Sequence, residues 1–170
     1  MSLKVGDSFP QVQLKYVPYD ASNPDACGAP QVLDTKADFA GKKVVIFAVP
    51  GAFTPTCSAQ HLPGYLAKVD ELRAKGVDLV IGTSSNDFFV LDAWGKQQGV
   101  KDKILLVSDA NGELGKATGL TLDLTAKGLG SGRLTRFAAI VDNGRVTYAE
   151  QEPNPGEVSV SGVDAVLAAL

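Results

Sequence analysis

Three short apolar runs punctuate this chain, with helix-patterned stretches between them: VVIFAV at 44–49, VDLVIGT at 77–83 and ILLVSD at 104–109. A continuous apolar run of this length reads as a strand covered on both faces. After the first run, Leu62, Tyr65, Leu66, Val69 and Leu72 fall at offsets 0, 3, 4, 7 and 10, which is one apolar face of a helix. After the second, residues 87–98 alternate at helical spacing, with Phe88, Leu91 and Trp94 on one side. After the third, NGELGKATG reads as a short helix. RFAAIVD (136–142) and RVTYAE (145–150) flank Asn143-Gly144, a strong hairpin signal. Gly162 to Leu170 closes the chain as a short apolar helix. The first 40 residues read as irregular, with prolines at 10, 18, 24 and 30 and one candidate strand, VQLKYV at 12–17.

The order β-α-β-α-β-α-β-β-α argues for an α/β fold: a central mixed sheet flanked by helices, with an irregular N-terminal extension. Right-handed crossovers leave few topologies for it, and a thioredoxin-like sheet is one. At 170 residues the expectation is a single domain, 1–170. Sixteen Lys and Arg against 19 Asp and Glu give a net charge of −3, without the basic excess of a nucleic-acid binder. No apolar run approaches the roughly 20 residues of a membrane span. MSLKVGDSFP has no apolar h-region, so export is not expected, and two cysteines are too few for a disulfide scaffold. Each thiol, reduced at rest, is then a candidate for chemistry.

VPGAFTPTCSAQH, residues 49–61, lies where a buried strand ends and an amphipathic helix starts. Sites in open α/β sheets form at the carboxyl ends of strands. Thr54 followed by Pro55 reads as an N-cap with proline at the first helical position, which puts Cys57 in the first turn. There its sulfur sits near unpaired N–H groups and the positive end of the helix dipole, both of which favour a thiolate. The alternative is a buried cysteine that only packs.

Several cysteine chemistries fail on residue types. Ser58 to Gln60 follow Cys57 and the other cysteine is Cys27, so there is no C-x-x-C. Pro63 stands where a phosphate-cradling loop would carry an arginine. His61, the only histidine, lies at i+4 from Cys57 and can share its helix face. Cys27, Cys57 and His61 fall short of the four ligands of a structural zinc site, so no metal is expected.

PGAFTPTC resembles the peroxiredoxin motif P-x-x-x-T-x-x-C, with Pro50, Thr54 and Cys57 at the required spacing. VGDSFP, PGAFTPTCSAQHLPGY, the SSNDFFV…WGK stretch and RLTRF together resemble the type II, or peroxiredoxin-five-like, group over almost the whole chain. The ending TYAEQEPNPGEVSVSGVDAVLAAL is most similar to fungal thioredoxin-dependent alkyl hydroperoxide reductases. The resemblance implies an antioxidant thiol peroxidase that reduces hydrogen peroxide or organic hydroperoxides without a cofactor. It implies that Cys57 attacks the peroxide and becomes a sulfenic acid. It implies that the Thr54 hydroxyl contacts sulfur and peroxide, and that Pro50 shields the site. The family's arginine directly precedes the aromatic that opens a strand, so Arg136 takes that role, with Arg133 second. His61 matches a histidine common in this branch, and a plain polar contact is its other reading. Phe53 and Trp94 are candidates for the pocket or a subunit contact, and core packing is the alternative.

The same resemblance bears on the fate of the oxidised sulfur. VSVSG at 158–162 holds serines where many relatives place a resolving cysteine. Fungal relatives carry one in a context like DACGAPQ, so Cys27 is implied as the resolving thiol, in an intersubunit disulfide of a homodimer. The rival leaves Cys27 inert, with glutathione or another outside thiol resolving Cys57. Thioredoxin is the implied reductant, glutaredoxin the second option. A peroxide sensor and a thioredoxin-like binding module are the other functional readings. The expected location is cytoplasmic. Peroxisomal tails run small-basic-Leu, and Ala168-Ala169-Leu170 lacks the basic residue.

Overall fold

Strand by strand, the apolar runs do what their pattern requires. The computed structural model describes residues 3–170; Met1 and Ser2, part of the opening stretch read for an export signal, lie outside it. In chain order the elements begin with strands β1 (Gln13–Tyr16) and β2 (Gln31–Asp34) and helix α1 (Thr35–Phe39). Three strand–helix units come next: β3 (Lys43–Ala48) with α2 (Leu62–Ala74), β4 (Leu79–Ser84) with α3 (Phe88–Gln97), and β5 (Leu105–Ser108) with α4 (Glu113–Thr118). A small ribbon pairs β6 (Thr121–Leu122) with β7 (Arg133–Leu134). The hairpin of β8 (Phe137–Asp142) and β9 (Arg145–Gln151) and helix α5 (Val163–Ala169) complete the chain.

Seven strands form one mixed sheet in the order β2-β1-β5-β4-β3-β8-β9. β3, β4 and β5 are parallel, with Val44 opposite Leu79 and Ile81 opposite Leu105. β8 runs antiparallel to β3, with Ala48 opposite Phe137. Alternate residues of β3 feed different cores. Val44, Ile46 and Ala48 pack with Phe39, Leu114 and Phe137 on one face. Val45, Phe47 and Val49 pack on the other with Leu62, Tyr65 and Val69 of α2, Leu91 and Trp94 of α3, and Val163 and Val166 of α5. This two-sided cover explains the uninterrupted apolar pattern. Asn143 (φ 48°) and Gly144 (φ 78°) form the two-residue turn between β8 and β9, and two consecutive left-handed residues match the twist of a hairpin.

The N-terminal region corrects the sequence reading. Residues 31–39 are a strand and a helix, not irregular chain. β2 pairs antiparallel with β1, Gln13 opposite Asp34, and the Asp34 carboxylate accepts from Lys36 N and Ala37 N to start α1. QVLD carries no usable alternation, because β2 is an edge strand with Val32 half exposed. Its strand character comes from its partner. Within residues 3–39, irregular chain is confined to residues 3–12 and 17–30. No helix among the described residues is long and apolar enough to cross a membrane.

Candidate active site

β3 ends at Ala48 and the chain turns through Val49–Thr54 into a helical stretch that begins at Pro55. The turn is tight at Gly51. A Cβ there would lie 3.1 Å from Thr54 Cγ2 and 3.3 Å from Arg133 Nη1, so a larger residue would push these side chains by a few tenths of an ångström. Asn86 supports the loop from the end of β4, its side-chain oxygen accepting from Ala52 N at 2.9 Å and from Ser84 Oγ at 2.8 Å.

Cys57 is the third residue of this helical stretch, where the N-cap reading puts it. Two details differ. The Thr54 hydroxyl does not cap an amide. It donates back to Gly51 O at 2.7 Å, closing the loop, while Thr54 O accepts from Ser58 N. Residues Cys57–His61 form one widened π turn in which Leu62 N donates to Cys57 O. Widened turns of this kind are uncommon and concentrate at functional sites.

The Cys57 sulfur is buried and is met by a buried arginine. Arg136 Nη2 donates to Sγ at 3.2 Å, its Nη1 lies 2.9 Å from His61 Nδ1, and its Nε donates to Pro155 O at 2.9 Å. These contacts determine the histidine tautomer. His61 Nε2 faces Ser161 O at 3.0 Å and must carry the proton, so Nδ1 accepts from the guanidinium and the ring is neutral. Burial first, then the Arg136 charge, holds the His61 pKa down to about 4, against the opposing pull of Ser161 O and Glu152.

A further layer holds the histidine. Tyr65 OH also donates to Ser161 O, at 2.8 Å, and burial pushes its phenol well above 10. The backbone N–H and hydroxyl of both Ser159 and Ser161 donate to the buried Glu152 carboxylate at 2.6–2.8 Å. Burial pushes the Glu152 carboxyl up, but these four bonds outweigh it and hold it below the ordinary 4.5. Glu152 N in turn donates to Arg136 O.

The remaining sequence candidates take separate places. Pro50 is buried beside the site. Arg133 binds Leu129 O at 2.7 Å, Pro50 O at 3.3 Å and Asn86 Oδ1 at 3.5 Å, so it braces the loop, while Arg136 donates to the sulfur. Trp94 is buried and its Nε1 donates to Ser58 Oγ at 2.9 Å. Phe53 is half exposed at a positive φ. Cys27 is an exposed free thiol in the 17–30 stretch, and Cys57 is a buried free thiol. The carbonyl before Cys27, Ala26 O, accepts from Lys96 Nζ at 2.7 Å, and Lys96 is paired with Asp92 at 2.7 Å. Among the described residues no three His, Cys, Asp or Glu side chains group as a metal site. A cavity of about 460 Å³ lies between the 17–25 stretch, α3 and the starts of β4 and β5, and none of these candidates lines it.

The sequence does not single out Glu152, Ser161, Tyr65, Asn86 or Ser58. Tyr65 reads only as part of an apolar helix face, and Asn86 only as part of the SSNDFFV stretch. No sequence signal joins Glu152 to Ser159 and Ser161.

The Redoxin family matches residues 4–167. Peroxiredoxin Pen c 3 of Penicillium citrinum is 45% identical over 174 aligned residues, covering 100% of both chains. A relative from Lipomyces kononenkoae, named "Putative peroxisomal peroxiredoxin", is 47% identical over 96% of this chain and 99% of its own. The solved structure of reduced Prx3 from Vibrio vulnificus in complex with hydrogen peroxide has a TM-score of 0.86 at 41% identity, with 98% of each chain covered. The fold is thioredoxin-like. The cytoplasmic expectation does not stand, because a relative this similar carries a peroxisomal name. The physical reason is that import addresses are read by receptors and leave no mark on a fold. From matches that run nearly end to end, we conclude that the chain belongs to the Redoxin family as a peroxiredoxin, a peroxidase acting on peroxides with a thiol reductant.

Proposed function

We propose that Cys57 is the peroxidatic residue of an antioxidant thiol peroxidase, that Cys27 resolves it across a homodimer, and that thioredoxin recycles the disulfide. The observation that carries the first part is the Arg136 guanidinium donating to Cys57 Sγ at 3.2 Å inside a buried hydrogen-bonded site. A guanidinium in that position stabilises negative charge on sulfur, and its charge is available to the charge that develops on the peroxide oxygens. Neutral His61 supports this by accepting from the arginine without adding a competing cation.

The Cys57 thiolate attacks the terminal oxygen of the hydroperoxide. The S–O bond forms as the O–O bond breaks, the electron pair leaves on the other oxygen, and a proton converts that oxygen to alcohol or water. Sulfur is oxidised to sulfenic acid and the peroxide is reduced. Thr54 has its own proton committed to Gly51 O, so its oxygen is an acceptor for the peroxide hydroxyl. The reacting end of a hydroperoxide is two oxygens, so the chemistry has no need of the cavity beside α3. The sulfenic acid then condenses with the Cys27 thiol, releasing water and forming the disulfide. A dithiol reductant returns both thiols and becomes the disulfide itself.

The test is a non-reducing gel and intact mass after one equivalent of hydrogen peroxide, on wild type, Cys27→Ser and Cys57→Ser. A covalent dimer in wild type alone is the expected result. Monomer with a sulfenic or thiol adduct on Cys57 would keep the peroxidase and remove Cys27. Unmodified thiol throughout would remove Cys57.

A further inference from the structure

We propose that Trp94 is a positioning residue of the redox cycle, its indole N–H holding the Cys57-bearing turn closed through Ser58. The inference rests on the reading of Cys57 as the oxidised residue and adds what governs access to it. Trp94 lies on α3, fully buried in the core that contains Cys57, and donates to Ser58 Oγ at 2.9 Å. Ser58 is the neighbour of Cys57, within the widened turn Cys57–His61. The far end of that turn is tied by His61 to Ser161 O and to Arg136. Its first residue is tied by Sγ to Arg136. The Trp94–Ser58 bond is the tie at its near end and the one that reaches α3.

Cys57 is 1% exposed, so a second thiol cannot approach its sulfur in the arrangement described. Disulfide formation therefore requires the turn to open, and every contact specific to the closed turn opposes that step. Oxidation of the sulfur removes the thiolate that Arg136 stabilises, which weakens the Sγ–Arg136 tie at the moment opening is needed. The indole tie does not depend on the sulfur's charge. Opening the turn takes Ser58 Oγ away from a buried N–H that can only donate, and a buried donor left unpaired carries its full desolvation penalty. Trp94 thereby sets how readily the turn opens once Cys57 is a sulfenic acid. The S–O group then either condenses with Cys27, releasing water, or meets a second hydroperoxide while closed and becomes a sulfinic acid as that peroxide is reduced.

The experiment uses the reduced 170-residue chain as wild type, Trp94→Phe and Ser58→Ala. Trp94→Phe removes the donor and keeps an aromatic ring in the core. Amide hydrogen exchange over residues 57–62 is expected to quicken about fivefold in Trp94→Phe, the factor one net hydrogen bond makes in an equilibrium, with β3 and β4 exchanging as in wild type. Unchanged exchange in the turn, or equal acceleration in turn and strands, would overturn the proposal, the second result marking Trp94 as core packing alone. Ser58→Ala is judged by the same criterion if Trp94→Phe does not fold. Acid-quenched samples after one equivalent of hydrogen peroxide then give the rate of disulfide formation, expected to rise by a similar factor. Faster exchange with an unchanged disulfide rate would overturn the redox role. A wild type that forms no Cys57–Cys27 disulfide would refute the pairing proposed above and leave Trp94 to be decided by exchange, which needs no oxidation.

Discussion

Arg136 commits each of its three nitrogens to a different partner, Cys57 Sγ, His61 Nδ1 and Pro155 O. A lysine has one charged nitrogen and cannot hold that fork. Arg136→Ala is expected to slow the reaction with hydrogen peroxide by on the order of 10²-fold, the loss typical of removing one preorganised donor. Arg136→Lys is expected to recover only part of it. Stopped-flow rates of thiol oxidation check both, and wild-type kinetics in the alanine variant would move the role to Arg133. His61 has a pH signature. Its pKa in the fold, about 4, lies below the ordinary 6.5, so the unfolded chain binds the extra proton first as pH falls. Stability is then fully present above pH 6.5, declines as pH drops toward 4 and levels off below. His61 is the only histidine, so it dominates the upper part of that window. Urea midpoints between pH 7 and 5 are expected to fall in wild type and to stay flatter in His61→Leu.

Among the elements, the loops carry the differences that matter. The turn after β9 is folded around Glu152, which collects Ser159 and Ser161 and so presents Ser161 O to His61. The 17–30 stretch is held differently. Lys96, paired with Asp92, grips it at Ala26 O, one residue before Cys27, and a cavity lies against its 17–25 portion. A segment tied at so few points opens locally at low free energy. Lys96→Met is expected to quicken limited proteolysis within residues 17–30 several-fold while the global urea midpoint moves little. Cleavage at the wild-type rate would show that the lysine does not hold the stretch.

At the scale of the whole molecule, one sheet carries two cores, and both draw on distant parts of the chain. Leu14 and Leu33 from the N-terminal strands share a core with Phe137 and Val146, while Val163 and Val166 near the C-terminus share the other with Phe47 and Trp94. Residues 1–170 are proposed to unfold as one domain for this reason. Far-ultraviolet circular dichroism and the fluorescence of Trp94, the only tryptophan, are expected to report coincident urea transitions. Separated midpoints would divide the chain into independent units.

What the sequence determined by itself is what local periodicity encodes. The β3, β4 and β5 runs, the buried face of α2, the Asn143-Gly144 turn and the place of Cys57 in the first helical turn all depend on neighbours a few residues away, and all are as read. What tertiary structure decided depends on partners far along the chain. Arg136 meets Cys57 across 79 residues, and His61 meets Ser161 across 100. Family resemblance pointed to Arg136, but the spacing in GRLTRF does not say which arginine donates to sulfur. β2 is a strand because β1 lies beside it. The Thr54 hydroxyl turns to Gly51 O because the loop closes there, and the turn after Cys57 widens where Trp94, Arg136 and His61 hold it. Periodicity reports which face of an element is apolar. It carries no record of which polar group on another element will stand opposite, and in this protein those oppositions form the site.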